Sequence, residues 1–309
     1  MIYLNEFVLP KDEWVDCYFT PTLYCSDIPE NMPECNASTA VNSWYPWNTL
    51  YGRGLRNFVF DDITLFYGGN GSGKTTLLNI IAQTLKLTRN SRYNRSSFFD
   101  DYLTICKPIF PNAECKSAIQ RGRIVNSDDV FENMLQLREE NDYGDMKRDE
   151  LHREYFELLG HPFPKTNLTD PQVLEEYKLL RKINKKRAFS CSQYIKSKME
   201  KNKYEYSNGE TAFQYFVDAI KDETLILLDE PENSLSAKWQ IELSKYLAYA
   251  SRAFNCQLII ATHSPFLLSI PGVKIYNLDA LPITTSKWYD LENIKYYYEL
   301  FKDNEIYFK

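Results

Sequence analysis

Residues 68–75 read GGNGSGKT, and the spacing Gly68-x-x-x-x-Gly73-Lys74-Thr75 narrows the folds open to this chain more than any other feature. Ahead of it, Ile63-Thr64-Leu65-Phe66-Tyr67 has the pattern of a strand; behind it, Leu77, Leu78, Ile81, Ala82 and Leu85 recur at helical spacing. A glycine loop that closes a strand and opens a helix is a P-loop. Residues without a Cβ let successive backbone N–H groups turn inward, and the helix start adds its positive end, so the loop attracts phosphate oxygens. Gly68, Asn70, Gly71, Ser72, Gly73 and Thr76 make up the expected cradle for ATP. Lys74 is expected to reach the β- and γ-phosphates, and the Thr75 hydroxyl to bind Mg²⁺.

Such a loop needs carboxylates to complete it. Thr224-Leu-Ile-Leu-Leu228 is an apolar strand pattern that ends in Asp229-Glu230, and open α/β sheets place their ligands at the C-terminal ends of strands. Asp229 is expected to hold the Mg²⁺ and its water shell, and Glu230 to act as general base on the attacking water. A second strand pattern, Leu258-Ile-Ile-Ala261, ends in Thr262-His263-Ser264-Pro265. An imidazole at that strand end is placed to hydrogen-bond a γ-phosphate. Ser207-Asn208-Gly209-Glu210 opens a helical pattern through Ala212, Phe213, Phe216, Val217 and Ile220. Its S-x-x-E spacing suits either a plain capping box or a second anion site at a helix start.

The rhythm of strands and helices predicts an α/β fold with a mostly parallel sheet covered by helices. Residues 2–9 alternate as a strand, and residues 17–51, with Pro21, Pro29, Pro33 and Pro46, read as a long irregular excursion. Charged helical pieces over 131–140, 147–159 and 171–187 are separated by Gly160, Pro162, Pro164 and Pro171. The expected organisation is one composite domain: an N-terminal lobe with the P-loop (1–130), an inserted helical lobe (131–205) and a C-terminal lobe (206–309). The inserted stretch is too short and too broken for a long coiled coil.

At 309 residues and 44% apolar composition the chain can build a sizeable core. It has no apolar run near the 18 residues that a membrane helix needs, and Glu6 and Asp12 interrupt any leader-like start. A soluble, cytoplasmic protein with no membrane contact is expected. Seven cysteines without a C-x-x-C pair point to reduced thiols, with Cys17, Cys25 and Cys35 the one cluster suited to a metal.

Taken together, GGNGSGKTT, YSNGE, LILLDEPENSLS and IIATHSP, in this order, resemble the ATP-binding-cassette ATPases. The match is closest to the SMC/RecF-like branch and, within it, to small free-standing bacterial "AAA family" ATPases. The resemblance implies a P-loop NTPase head with an added antiparallel β element, in which two copies form a homodimer around two ATP molecules. Carried over, Ser207 and Gly209 would contact the γ-phosphate held by the opposite subunit, Ser234 to Ser236 would form the D-loop between subunits, and His263 would be the switch histidine. Asn208 and Glu210 stand where transporters usually carry Gly and Gln, which argues against a transporter subunit. No glutamine occupies the expected Q-loop place; Ser127, Asp128 and Asp129 lie there, with Gln120 slightly early. Tyr45, Trp47 and Tyr51 precede the P-loop at a distance workable for stacking on adenine.

Two kinds of partner follow. The net charge is −6, yet between Lys178 and Lys203 ten Lys and Arg face the single acidic Glu200. That segment is either a solvated face or a local contact for DNA or RNA. The stretch after His263 is too short for an appended nuclease domain, so the other expectation is a nucleotide-gated scaffold for a separately encoded effector such as a nuclease, as in antiphage operons.

Overall fold

A computed structural model of the chain describes residues 1–19, 28–29, 31–33, 44–160, 181, 190–199 and 208–308. The chain divides into two compact units, Met1–Phe131 with Ser207–Lys309, and Glu132–Tyr206.

The first unit is built on a six-stranded sheet of order β5-β6-β7-β3-β8-β9. Its strands are β3 (Ile63–Tyr67), β5 (Arg123–Asn126), β6 (Leu225–Asp229), β7 (Gln257–Ala261), β8 (Lys274–Asn277) and β9 (Thr284–Thr285). All neighbours pair in parallel except β8 with β9. Every residue of β6 and β7 is buried, which explains why both read as unbroken apolar runs: a central parallel strand is covered on both faces. A separate antiparallel sheet of order β2-β1-β4 joins β1 (Glu6–Val8), β2 (Asn57–Val59) and β4 (Lys107–Ile109). The fold is therefore an α/β architecture with a mostly parallel sheet and an antiparallel element.

Helix Lys74–Thr84 follows β3 directly and buries Leu77, Leu78, Ile80, Ile81 and Ala82. The core it joins is rich in aromatic side chains, among them Trp47, Phe58, Phe66, Phe99 and Tyr102. The expected strand over residues 2–9 is confined to Glu6–Val8, because the backbone N–H groups of Tyr3 and Leu4 instead donate to the Gln257 side chain. The excursion expected over 17–51 contains regular structure at both ends, helices Asp12–Phe19 and Trp47–Leu50. Helices Phe99–Ile105 and Glu292–Asp303 were not among the expected elements.

The pieces expected at 131–140 and 147–159 are one 34-residue helix, Ser127–Gly160. Gly144, inside it, costs about 1 kcal/mol relative to alanine, too little to break a helix of this length. In the second unit Leu151, Tyr155 and Tyr194 form a small buried cluster, with Cys191, Ile195 and Met199 packed on it. Helix Cys191–Lys198 begins with a reciprocal capping box between Ser190 and Gln193. The helical pattern over 171–187 lies outside the described residues except Arg181.

Cys106, Cys115, Cys191 and Cys256 are free thiols, whereas Cys17 is disulfide-bonded. This corrects the expectation of reduced thiols at that position; the absence of C-x-x-C excludes only short-span pairs. Among the described residues no helix is long and apolar enough to cross a membrane.

Candidate functional site

The parallel register brings the C-terminal ends of β3, β5, β6 and β7 to one edge of the sheet, and the chemistry-bearing residues follow those ends. Gly73 caps helix Lys74–Thr84 at φ +98° and Gly71 turns the loop at φ +81°, both left-handed conformations that favour glycine. A Cβ on Gly68 would stand 2.4 Å from Ser72 Oγ. Asn70 to Thr76, together with Thr49 and Glu230, line an open cleft of about 420 Å³.

Within it, Lys74 is buried and its Nζ donates to the carbonyls of Gly68 (2.7 Å) and Gly69 (3.0 Å), 3.2 Å from Glu230 Oε1. The Thr75 hydroxyl donates to Asp229 Oδ1 at 3.1 Å. The two carboxylates that end β6 thus face the two residues that open the P-loop helix, although 154 positions separate Thr75 from Asp229. Glu230 adopts φ +47°, ψ 54°, a strained conformation for a residue with a side chain, and its N–H donates to Ala261 O at 2.9 Å. That bond ties the turn after β6 to the end of β7, where His263 Nδ1 lies 3.9 Å from Glu230 Oε1.

The two carboxyls are driven apart electrostatically. Burial raises Asp229, and the neighbouring Glu230 and Glu232 charges add to it against the Thr75 hydrogen bond and the Lys74 charge, so its pKa is pushed up to about 7. Burial also acts to raise Glu230, but the hydrogen bond from Asn233, the Lys74 ammonium and His263 together outweigh it and hold its carboxyl below the usual glutamate range. Glu230 is thus held ionised, as a carboxylate.

Two residues near the site escaped sequence reasoning. Asn126 ends β5 directly beside Asp229 in the register, is 8% exposed, and has a buried Oδ1 with no hydrogen-bond partner. The motif-based reading pointed to Ser127, Asp128 and Asp129, which belong instead to the first turn of the helix; Asp129 Oδ2 accepts the Asn126 N–H at 2.9 Å. Asp279, just after β8, accepts the Gly69 N–H at 2.8 Å through Oδ2 and so holds the entrance of the loop. Both lie in or beside segments that the resemblance covers, GRIVNSDDVF and PGVKIYNLD, but only strand register gives either of them a place at the site.

The oxygen-only donors at this edge, the Thr75 hydroxyl, the Asp229 carboxylate and the orphaned Asn126 amide oxygen, suit a hard cation such as Mg²⁺ that keeps waters and phosphate oxygens as its other ligands. Among the described residues there is no cluster of three His, Cys, Asp or Glu that would hold a metal by protein ligands alone.

Of the remaining residues singled out from the sequence, Gly209 opens helix Asn208–Ala219, and a Cβ there would meet Trp239 Cδ1 at 2.6 Å, so close packing also requires this glycine. Ser207 lies outside the described residues, as do Cys25, Cys35 and most of Lys178 to Lys203. Trp47 is 1% exposed within the core, stacked on Tyr18, which removes it as an adenine platform. Tyr45 stacks on Phe99, and exposed Tyr51 donates its hydroxyl to Asp16.

A family model described as "ABC transporter" matches residues 59–233, and one described as "AAA domain, putative AbiEii toxin, Type IV TA system" matches residues 200–269. No curated protein matches the chain. Among solved structures the chain is similar to Stu0660 of Streptococcus thermophilus, at 14% identity and TM-score 0.38 over 74% of this chain and 72% of that one. It is also similar to cbiO1 from Clostridium perfringens, part of the ABC transporter complex cbiONQ, at 17% identity and TM-score 0.33 over 78% and 85%. A third is the ATP-binding cassette MJ0796, a dimeric post-hydrolysis state bound to ADP and Pi, at 13% identity and TM-score 0.33 over 76% and 90%.

Proposed function

Because the chain belongs to the ABC transporter family through residues 59–233 and is an ATPase, we propose that it hydrolyses ATP as a homodimer, each nucleotide site being completed by Ser207 and Gly209 of the opposite subunit. The observation that carries the reading is the convergence of Lys74, Thr75, Asp229, Glu230 and His263 on one sheet edge, with Thr75 and Asp229 3.1 Å apart and Lys74 and Glu230 3.2 Å apart.

In this reading the P-loop N–H groups and Lys74 orient the triphosphate, and Glu230 takes a proton of the water whose oxygen bonds to the γ-phosphorus, while the bond from that phosphorus to the β–γ bridging oxygen breaks and ADP leaves with that oxygen. His263 donates a hydrogen bond to the γ-phosphate. Thr75, Asp229 and Asn126 would hold Mg²⁺, whose bound charge neutralises the phosphate oxygens and favours transfer. The general base contributes about 10²- to 10⁴-fold.

We assign the chain to the SMC/RecF-like branch, coupling hydrolysis to nucleic acid or to a separately encoded effector such as a nuclease in antiphage defence. The YSNGE signature, unlike that of transporters, and the match over residues 200–269 to a model described as a putative toxin of a type IV system support this over transport.

The test is the mass of Glu230→Gln in solution with and without ATP and Mg²⁺. The expected result is a monomer that doubles in mass on adding ATP, with turnover at least about 10²-fold below wild type. A variant that binds ATP and stays monomeric would refute the dimer, and one that hydrolyses at the wild-type rate would refute the base.

A further inference from the structure

Glu232 lies in the short 3₁₀ turn Pro231–Ser234, and only 4% of its side chain is exposed. Its Oε1 accepts from the Thr262 hydroxyl at 2.7 Å and from the backbone N–H groups of His263 at 2.7 Å and Ser264 at 3.2 Å. The same oxygen is 3.3 Å from His263 Nδ1, while Oε2 is buried without a hydrogen-bond partner. A carboxylate removed from water is costly unless charge-assisted hydrogen bonds hold it. Here all the donors come from one loop, the loop that carries His263. Gln240 fastens the two segments from the other side: its Nε2 donates to the carbonyls of Glu232 (3.3 Å) and Leu235 (2.9 Å), and its Oε1 accepts the Ser264 hydroxyl at 2.7 Å.

We propose that Glu232 is the positioning residue for His263. In the nucleotide-free protein its Oε1 keeps Nδ1 the protonated ring nitrogen and orients the imidazole so that Nε2 faces the ligand; on the γ-phosphate the ring takes a second proton from solvent and Nε2–H donates, with the Glu232 carboxylate carrying the compensating charge. A carboxylate or carbonyl behind a functional histidine sets its tautomer in this way. Glu232 also makes the D-loop turn and the histidine loop a single hydrogen-bonded unit, so displacement of residues 231–236 is transmitted to the imidazole. The functional consequence rests on the reading of His263 as the group that contacts the γ-phosphate of ATP.

The experiment compares Glu232→Ala, Glu232→Gln, His263→Ala and the double alanine variant of the full chain. The readouts are kcat and KM for ATP and long-range ¹⁵N–¹H spectra of the imidazoles; the chain has three histidines, and the His263 signals are those lost in His263→Ala. Glu232→Ala is expected to lower kcat about tenfold or more with KM changed less than about twofold. Added to His263→Ala it should lower kcat no further, because the two side chains act as one unit. Glu232→Gln, whose amide oxygen accepts the same bonds, should recover most of the rate. In spectra of the nucleotide-free protein His263 should carry its proton on Nδ1 in the wild type and on Nε2 in Glu232→Ala.

Additive losses in the double variant, or an unchanged tautomer in Glu232→Ala, would overturn the proposal. If Glu232→Ala does not fold, a wild-type ring protonated on Nε2, or a Gln variant as slow as His263→Ala, would overturn it equally. A His263→Ala enzyme with wild-type kcat would defeat the γ-phosphate reading instead, and the tautomer would still answer for Glu232.

Discussion

Asp229 ends a strand with no exposed face, and burial dominates the behaviour of its carboxyl. Its pKa of about 7 in the folded protein, against an ordinary 3.8, means that the folded state keeps a proton the unfolded chain has released. Stability drawn from this group is therefore complete below about pH 4 and is lost as pH rises through about 7. Asp229→Asn, which stays neutral, removes that loss. Without nucleotide or cation, the melting temperature of Asp229→Asn relative to wild type should rise between pH 5 and pH 8, measured by thermal denaturation; a difference that does not change with pH would contradict the assignment. Addition of ATP with Mg²⁺ should reverse the order, because a cation favours the ionised wild-type carboxyl. The residue thus spends folding stability to hold an oxygen ligand where a cation can use it.

Gln257 governs the element scale. It is fully buried at the start of β7; its Oε1 accepts the N–H groups of Tyr3 (2.9 Å) and Leu4 (2.8 Å), and its Nε2 donates to Leu4 O at 2.9 Å. One side chain therefore replaces the strand pairing that the N-terminal residues lack. Gln257→Leu keeps the volume but leaves these buried backbone groups unpaired, at about 1–3 kcal/mol each. The expected loss is about 3 kcal/mol or more by urea denaturation, with amide exchange over residues 3–8 accelerating first; a loss under about 1 kcal/mol would show that the segment is held otherwise. The same residue illustrates what a sequence displays and what it hides. The strands β3, β6 and β7, the glycine loop and the helix behind it were legible because local composition and spacing encode them. Asn126, Asp279 and the Gln257 clasp were not, since each depends on which strands become neighbours, and that order is set by packing over more than 100 residues of intervening chain. The long helix Ser127–Gly160 shows in the sequence as two pieces because its apolar positions are too sparse to carry one continuous stripe.

At the scale of the molecule, a net charge of −6 offers no general attraction to nucleic acid, so the contact proposed with DNA would rest on the ten Lys and Arg between 178 and 203. The two described lysines of the segment's C-terminal part differ. Both are exposed, but Lys198 also lies 3.5 Å from Glu154 Oε2 and 4.8 Å from the centre of the Tyr194 ring. A cation already engaged within its own unit gives up those contacts to meet a phosphate, so it adds less to binding than a free one. If about six of the basic residues meet phosphates, affinity for duplex DNA should fall on the order of 10³-fold between 50 and 200 mM salt. Lys196→Ala should reduce the slope of log affinity against log salt by about 1, and Lys198→Ala by less. Fluorescence anisotropy with a labelled duplex, on the ATP-bound Glu230→Gln protein, measures all three slopes. A response that is flat in salt would remove nucleic acid from the partners of this ATPase and leave the separately encoded effector as the remaining one. Equal slopes for the two variants would show that the Glu154 contact does not compete with DNA.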